Sequence, residues 1–219
     1  MNSLENKIEL WKKRYTVREF SIDTDDLEEK IEYLLQLFEY IPIQQSIIDH
    51  FWILLTPEDE KIKKILFEEY YFYYHSPKEH MLPILTAPYI FLSCVYHPAA
   101  VEYPDQVRNI GLHAGVLLSE GINLGLDVST IGCLDGIHKS KNKLKKQKKF
   151  QKLLIDNFKK ENIESFLMRD IEECVIFPNL AVCIGHGEPL TNKTFTKVND
   201  FVVVTGQKIK KNKSNLIKK

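Results

Sequence analysis

Two arginines, a phenol and a hydroxyl fall within five residues at Arg14-Tyr15-Thr16-Val17-Arg18. A guanidinium is a rigid fork of donors that holds phosphate oxygens through charge-assisted, paired hydrogen bonds. Thr16 can donate to a phosphate or polyol oxygen beside them. The same residues would also serve as a solvated, salt-bridged helix end.

A second constellation runs from Asn123 to Asp135. A helical pattern ends at Gly125. A short strand-like stretch follows, then Thr130-Ile131-Gly132-Cys133. Gly132 has no Cβ, so its backbone can approach a planar ligand closely. Backbone N–H groups there would donate without any titrating side chain. The plainer reading is a helix cap and a turn. A third piece, Pro42-Ile43-Gln44-Gln45-Ser46, leads into the apolar run 51–55, and is either a ligand contact through Ser46 or a connecting loop. A fourth is Ala181-Val182-Cys183-Ile184-Gly185-His186-Gly187-Glu188-Pro189, followed by Lys193 and the β-branched run 201–205.

The elements that must position these pieces alternate irregularly. Asp25 with Glu28 offers a capping box, and Leu27, Ile31, Leu34 and Phe38 recur at helical spacing until Pro42. Residues 51–55 read as a buried strand. Thr56-Pro57 offers a helix N-cap and a proline at the first helical position, with Ile62, Ile65, Leu66 and Tyr70 behind it. Residues 89–95 are a second strand. A long helix with small residues at Gly111, Ala114 and Gly115 spans 104–125, and a lysine-rich helix spans 141–160. Residues 174–185 read as a strand interrupted by Pro178, and 201–205 as another. The predicted class is α+β: one domain over 1–219, with a lysine-rich tail from 207 expected to lack order.

Composition narrows the function classes. The 219 residues carry 30 basic and 30 acidic side chains, a formal net charge of zero. No global field therefore favours nucleic acid or an anionic membrane. The N-terminus is charged and has no apolar signal core, and no apolar stretch approaches a membrane span. The four cysteines, Cys94, Cys133, Cys174 and Cys183, have no metal or CxxC spacing, which points to free thiols in a reducing cytoplasm. His75, His80, His97, His113, His138 and His186 do not pair at metal-ligand spacing on one helix. No phosphate-binding P-loop or dinucleotide fingerprint is present. The aromatic run Tyr70-Tyr71-Phe72-Tyr73-Tyr74 reads as core or interface, or as the wall of a pocket.

Taken in order, the four pieces resemble the nitroreductase family. Arg14 to Phe20 is similar to that family's Arg-x-Ser-x-Arg/Lys-x-Phe opening. Residues 42–54 are similar to its Pro-Ser-x-x-Asn segment, with Ser46 where the asparagine usually stands and His50 at the tryptophan. Residues 123–135 resemble its Gly-Leu helix end, without the acidic residue that often follows. Residues 181–193 resemble its Ile-Gly-Tyr/His-Pro and Lys-x-Arg elements, with Phe195 in place of the arginine. The resemblance implies a mixed, mainly antiparallel sheet flanked by helices. It also implies a homodimer whose C-terminal segment extends onto the partner. It further implies flavin mononucleotide (FMN), held by Arg14, Tyr15, Thr16, Arg18, Ser46, Thr130, Ile131, Gly132, Cys133 and Lys193. The activity implied is transfer of electrons from NAD(P)H, through the flavin, to a nitroaromatic, quinone or similar acceptor, with no catalytic side chain and no metal. The departures at Ser46, His50 and Phe195 keep open a flavin-binding dimer without turnover. The basic segments keep open a polyanion-binding protein.

Overall fold

The computed structural model describes residues 9, 11, 17–21, 24–42, 50–70, 78–97, 103–132, 134, 143–167, 170–187, 202–205 and 208–211. The chain divides into two compact units, 1–188 and 189–219.

The first unit is built on a four-stranded sheet in the order β1-β2-β4-β3, antiparallel at every ladder. The strands are β1 (His50–Leu55), β2 (Tyr89–His97), β3 (Asp127–Ile131) and β4 (Val175–Gly185). The mainly antiparallel α+β architecture expected from the sequence is thus observed. Helices α1 (Leu27–Leu37) and α4 (Tyr103–Asn123) cover one face. Helices α2 (Glu60–Glu69), α3 (Leu82–Thr86), α5 (Lys143–Phe158) and α6 (Lys160–Leu167) cover the other.

Strand side chains alternate between the two cores, as the pleat requires. Phe51, Ile53 and Leu55 of β1 face the α2 side with Ile90, Leu92 and Cys94 of β2. Trp52, Leu54, Tyr89 and Phe91 face the α4 side. Strand β4 switches parity midway: Ile176 and Ala181 share the α2 side, while Phe177 and Leu180 share the other. The cause is a bulge. Cys94 pairs with Pro178 but Ser93 pairs with Leu180, so Asn179 is the extra residue. The Ser93 hydroxyl closes the irregularity, donating to Leu180 O at 3.1 Å and accepting from Leu180 N at 3.0 Å. Pro178, with no N–H to give a ladder, sits where the ladder is already broken. The expected interruption at Pro178 is therefore a bulge inside one strand.

Three local expectations differ. The capping box is not used: α1 starts after Asp26, whose backbone is left-handed (φ 65) and whose side chain caps no helix N–H. Thr56 is not an N-cap; Asp59 holds that position. The Asp59 carboxylate accepts from Thr56 N at 2.8 Å and Thr56 Oγ1 at 3.0 Å, a local turn that wins over an earlier helix start. The lysine-rich helix is divided in two by Lys159, at φ 60.

In the second unit, β5 (Val202–Thr205) pairs antiparallel with β6 (Lys208–Lys211). Residues 208–211, in the tail expected to lack order from 207, form this second strand, and the apolar run finds its partner edge just beyond residues 206–207 in the sequence. No described helix is long and apolar enough to cross a membrane.

Candidate functional site

Residues 17–21 are stitched into the fold. Val17 and Phe20 are buried. Phe20 forms an antiparallel bridge with Gly187, and Ser21 N donates to His186 O at 2.7 Å. Phe20 N donates to Thr86 Oγ1 at 3.1 Å. Gly187 N donates to the Asp127 carboxylate at 2.8 Å. The arginine-bearing segment, the exit of β4 and the first residue of β3 therefore form one connected corner.

The corner is close-packed. A Cβ on Gly185 would lie 2.7 Å from Pro88 Cδ and 3.0 Å from Phe20 Cδ1. Lys63 fixes the wall behind it: its buried Nζ donates to Ala87 O at 2.9 Å and Pro88 O at 3.0 Å. Burial pushes the Lys63 ammonium below the ordinary lysine range. Burial pushes the Cys94 and Cys183 thiols up, so both are protonated and unreactive. Asp26 receives Lys30 Nζ at 2.6 Å and His186 Nε2 at 3.0 Å, and these two, the Lys30 bond first, hold its carboxyl below the usual range.

Arg18 rides on this corner. It is half buried, and its guanidinium has no hydrogen-bond or ion-pair partner among the described residues. A cation withdrawn from water without a partner is costly, so this position suits an anion.

Strand β3 supplies the second part. Helix α4 ends in a Schellman turn: Leu126 N donates to Gly121 O at 2.9 Å and Gly125 N to Ile122 O at 3.0 Å, with Gly125 at φ 75. The turn reverses the chain directly into β3. This strand is an edge of the sheet, so alternate backbone N–H and C=O groups point away from β4. Thr130 and Gly132 are exposed, and a Cβ on Gly132 would meet nothing within 4 Å. Ile131 is buried in the α2-side core and offers only its backbone. Ser129 Oγ is buried without a partner.

Arg18 and Gly132 do not converge on one point. The corner adjoins Asp127, and Gly132 lies five residues further along, about 17 Å of extended chain. Arg14, Tyr15, Thr16, Ser46, Cys133 and Lys193 lie outside the described residues. Among the described residues no group of three or more His, Cys, Asp or Glu side chains could hold a metal ion. His50, which stands at the family's tryptophan in the resemblance, is buried, with its ring 5.2 Å from that of His113.

Sequence reasoning missed Asp127, Thr86 and Lys63. Asp127 carried one signal, a lone acid at the head of an otherwise uncharged strand. Lys63 carried a stronger one, since it lies beside Ile62 on the apolar stripe of α2.

No family model matches the sequence, and no curated protein matches it. Solved structures do. A nitroreductase-type protein in complex with FMN from Desulfovibrio desulfuricans superposes with a TM-score of 0.55, at 14% identity over 90% of this chain and 94% of that one. The fold is that of the nitroreductases. Nitroreductase A from Vibrio parahaemolyticus gives a TM-score of 0.57 at 14% identity, over 90% of this chain and 72% of that one. A nitroreductase family protein from Clostridium novyi gives 0.52 at 13% identity, over 83% and 84%. Within the nitroreductase fold of this chain, the Phe20–Gly187 corner and the β3 edge are the places that the sequence motifs marked.

Proposed function

We propose that this chain is an FMN-dependent oxidoreductase that takes electrons from NAD(P)H and passes them to an electron-poor organic acceptor such as a nitroaromatic or quinone. Arg18 on the rigid corner, half buried and with no partner among the described residues, carries the reading. The open edge of β3 and the nitroreductase fold support it. FMN, when bound, supplies hydride acceptance and two-electron delivery. Arg14 and Arg18 would hold its phosphate or ribityl chain, with Tyr15, Thr16 and Lys193 beside them. Thr130 and the backbone of Ile131 and Gly132 would line the ring, with Ser46 and Cys133 near it. No side chain then needs to act as a general acid or base.

A homodimer belongs to the same proposal. Helix α4 exposes Val107, Gly111, Leu112 and Gly115 on neighbouring turns, a face on which a second backbone can approach closely. Sedimentation of a single 25.6 kDa species at micromolar concentration would remove the dimer.

The test of function is loading with FMN, followed by anaerobic NADH or NADPH. Bleaching of the flavin absorbance and its return on adding a quinone are expected. Arg18→Ala should weaken FMN binding by roughly ten- to a hundredfold, the loss of one charge-assisted hydrogen bond. A wild-type protein that cannot be loaded with FMN, or Arg18→Ala with unchanged affinity, removes the proposal.

A further inference from the structure

His186 stands where three parts of the fold meet. Its carbonyl accepts from Ser21 N at 2.7 Å, and its Nε2 donates to Asp26 Oδ1 at 3.0 Å. The next residue, Gly187, bridges Phe20 and donates to the Asp127 carboxylate at 2.8 Å. Ser21 and Asp26 bracket residues 22–25, so one histidine anchors both ends of that connection, one through its backbone and the other through its ring. The segment that carries Arg18 leaves the corner by this route, and α1 begins at the end of it.

Asp26 gives up its usual work to make this contact. An aspartate ahead of a helix normally accepts from an N–H of the first turn. Asp26 caps no helix N–H, and its backbone is left-handed at φ 65, a region uncommon for residues other than glycine. Its two carboxylate oxygens are instead divided between Lys30 Nζ at 2.6 Å and His186. Lys30 lies one turn along the same helix, so that bond ties nothing distant. The His186 bond spans 160 residues, and it joins the start of α1 to the exit of β4. With the Asp26 side chain 55% exposed and that of His186 35%, the pair is a modest contact, and its effect is on position more than on global stability.

We infer that His186 is a positioning residue for the anion-holding segment: it fixes Ser21 through its carbonyl and Asp26 through its ring, and so sets where Arg18 stands. The inference rests on the FMN reading above for its ligand, and on the geometry of the corner for its mechanism. The ring bond restrains the backbone of the residue that carries it, and that backbone receives Ser21 N. Phe20, one residue earlier, is also held by Thr86 Oγ1 and Gly187, and Val17 is buried. Loss of the ring bond therefore loosens the segment at its exit without detaching it, and Arg18 feels the change as a wider range of positions.

The test is amide hydrogen exchange of the full-length, FMN-free protein by NMR, followed by FMN titration of the same variants. Asp26→Gly removes the carboxylate and leaves a residue that takes the left-handed backbone without strain. Its Ser21 N–H should exchange about two- to fivefold faster. Leu126 N–H, bonded to Gly121 O in the turn after α4, should exchange as before, which separates local loosening from global destabilisation. FMN should bind Asp26→Gly about two- to fivefold more weakly. His186→Leu should match Asp26→Gly in both readouts. His186→Gln, whose amide N–H can donate to Asp26 in place of Nε2, should return both toward the wild type, and Lys30→Met should move neither. Should His186→Leu not fold, Asp26→Gly and His186→Gln decide the matter. Ser21 exchange unchanged in Asp26→Gly, Ser21 and Leu126 accelerated together, or Lys30→Met behaving as Asp26→Gly overturns the role. So does faster Ser21 exchange with FMN affinity unchanged. If the wild type does not load FMN, the flavin reading fails, and Ser21 exchange alone upholds or overturns the anchor.

Discussion

Gly185 is the residue on which the corner closes, and replacing it with alanine tests that packing directly. The new Cβ would stand 2.7 and 2.8 Å from two ring carbons of Pro88 and 3.0 Å from Phe20 Cδ1. The proline cannot turn aside, since its ring is closed onto its own backbone and its carbonyl is held by Lys63 at 3.0 Å. Phe20 can move only by loosening its bridge to Gly187. Overpacking of this kind costs about 1–3 kcal/mol. At about 2–4 °C per kcal/mol for a domain of this size, the melting temperature should fall by roughly 2–12 °C. The displaced segment carries Arg18, so FMN affinity should fall with stability. Gly132→Ala is the matched control, because its Cβ meets nothing, and it should melt with the wild type. The assay is thermal unfolding by circular dichroism, with FMN titrated into each variant. Gly185→Ala as stable as Gly132→Ala would refute the close-packed corner.

Other perturbations follow from the same geometry. Gly132→Val should leave the flavin-free protein unchanged in stability yet reduce FMN affinity at least about tenfold, and equal affinity would take β3 out of the flavin site. Asp127→Ala strands the Gly187 N–H and should cost about 1.5–3 kcal/mol in urea unfolding; a loss below about 0.5 kcal/mol would contradict the tie between β3 and β4. Lys63→Met leaves the carbonyls of Ala87 and Pro88 without their donor and should destabilise by about 2 kcal/mol or more. Lys63 also sets a pH slope. Its folded-state value lies below the ordinary 10.5, so between the two the unfolded chain binds more protons and stability rises with pH. That alkaline rise should be missing from Lys63→Met in unfolding curves measured from neutral pH to about pH 10.

Much of the frame was legible because it rests on apolar runs. The stretches 51–55, 89–95 and 174–185 are buried in the sheet, and an apolar run of that length has few other uses. The end of α4 was legible because only glycine adopts a positive φ at no cost, and Gly125 does so. Helix starts were less legible. Asp25, Asp26 and Thr56 are all good caps in isolation, and which one is used depends on Lys30, His186 and Asp59. Of the site, the arginine segment and Gly132 were marked by type and spacing. Asp127 and Lys63 were not, because their partners are backbone groups far away in sequence, at 187 and at 87–88.

The bulge at Asn179 sets a rule about length. On either side of it, odd and even positions of β4 serve opposite cores. Most substitutions there test one side chain at a time. A deletion of one codon between Phe177 and Leu180 does something else. It removes the extra residue, so the pleat runs unbroken, Ser93 and Cys94 keep their partners, and Ile176, Phe177, Leu180 and Ala181 all keep the cores they face. Elsewhere in β4 the loss of one residue turns the side chains beyond it to the opposite core. The chain should therefore tolerate a shorter strand at this one place and not along the rest of it.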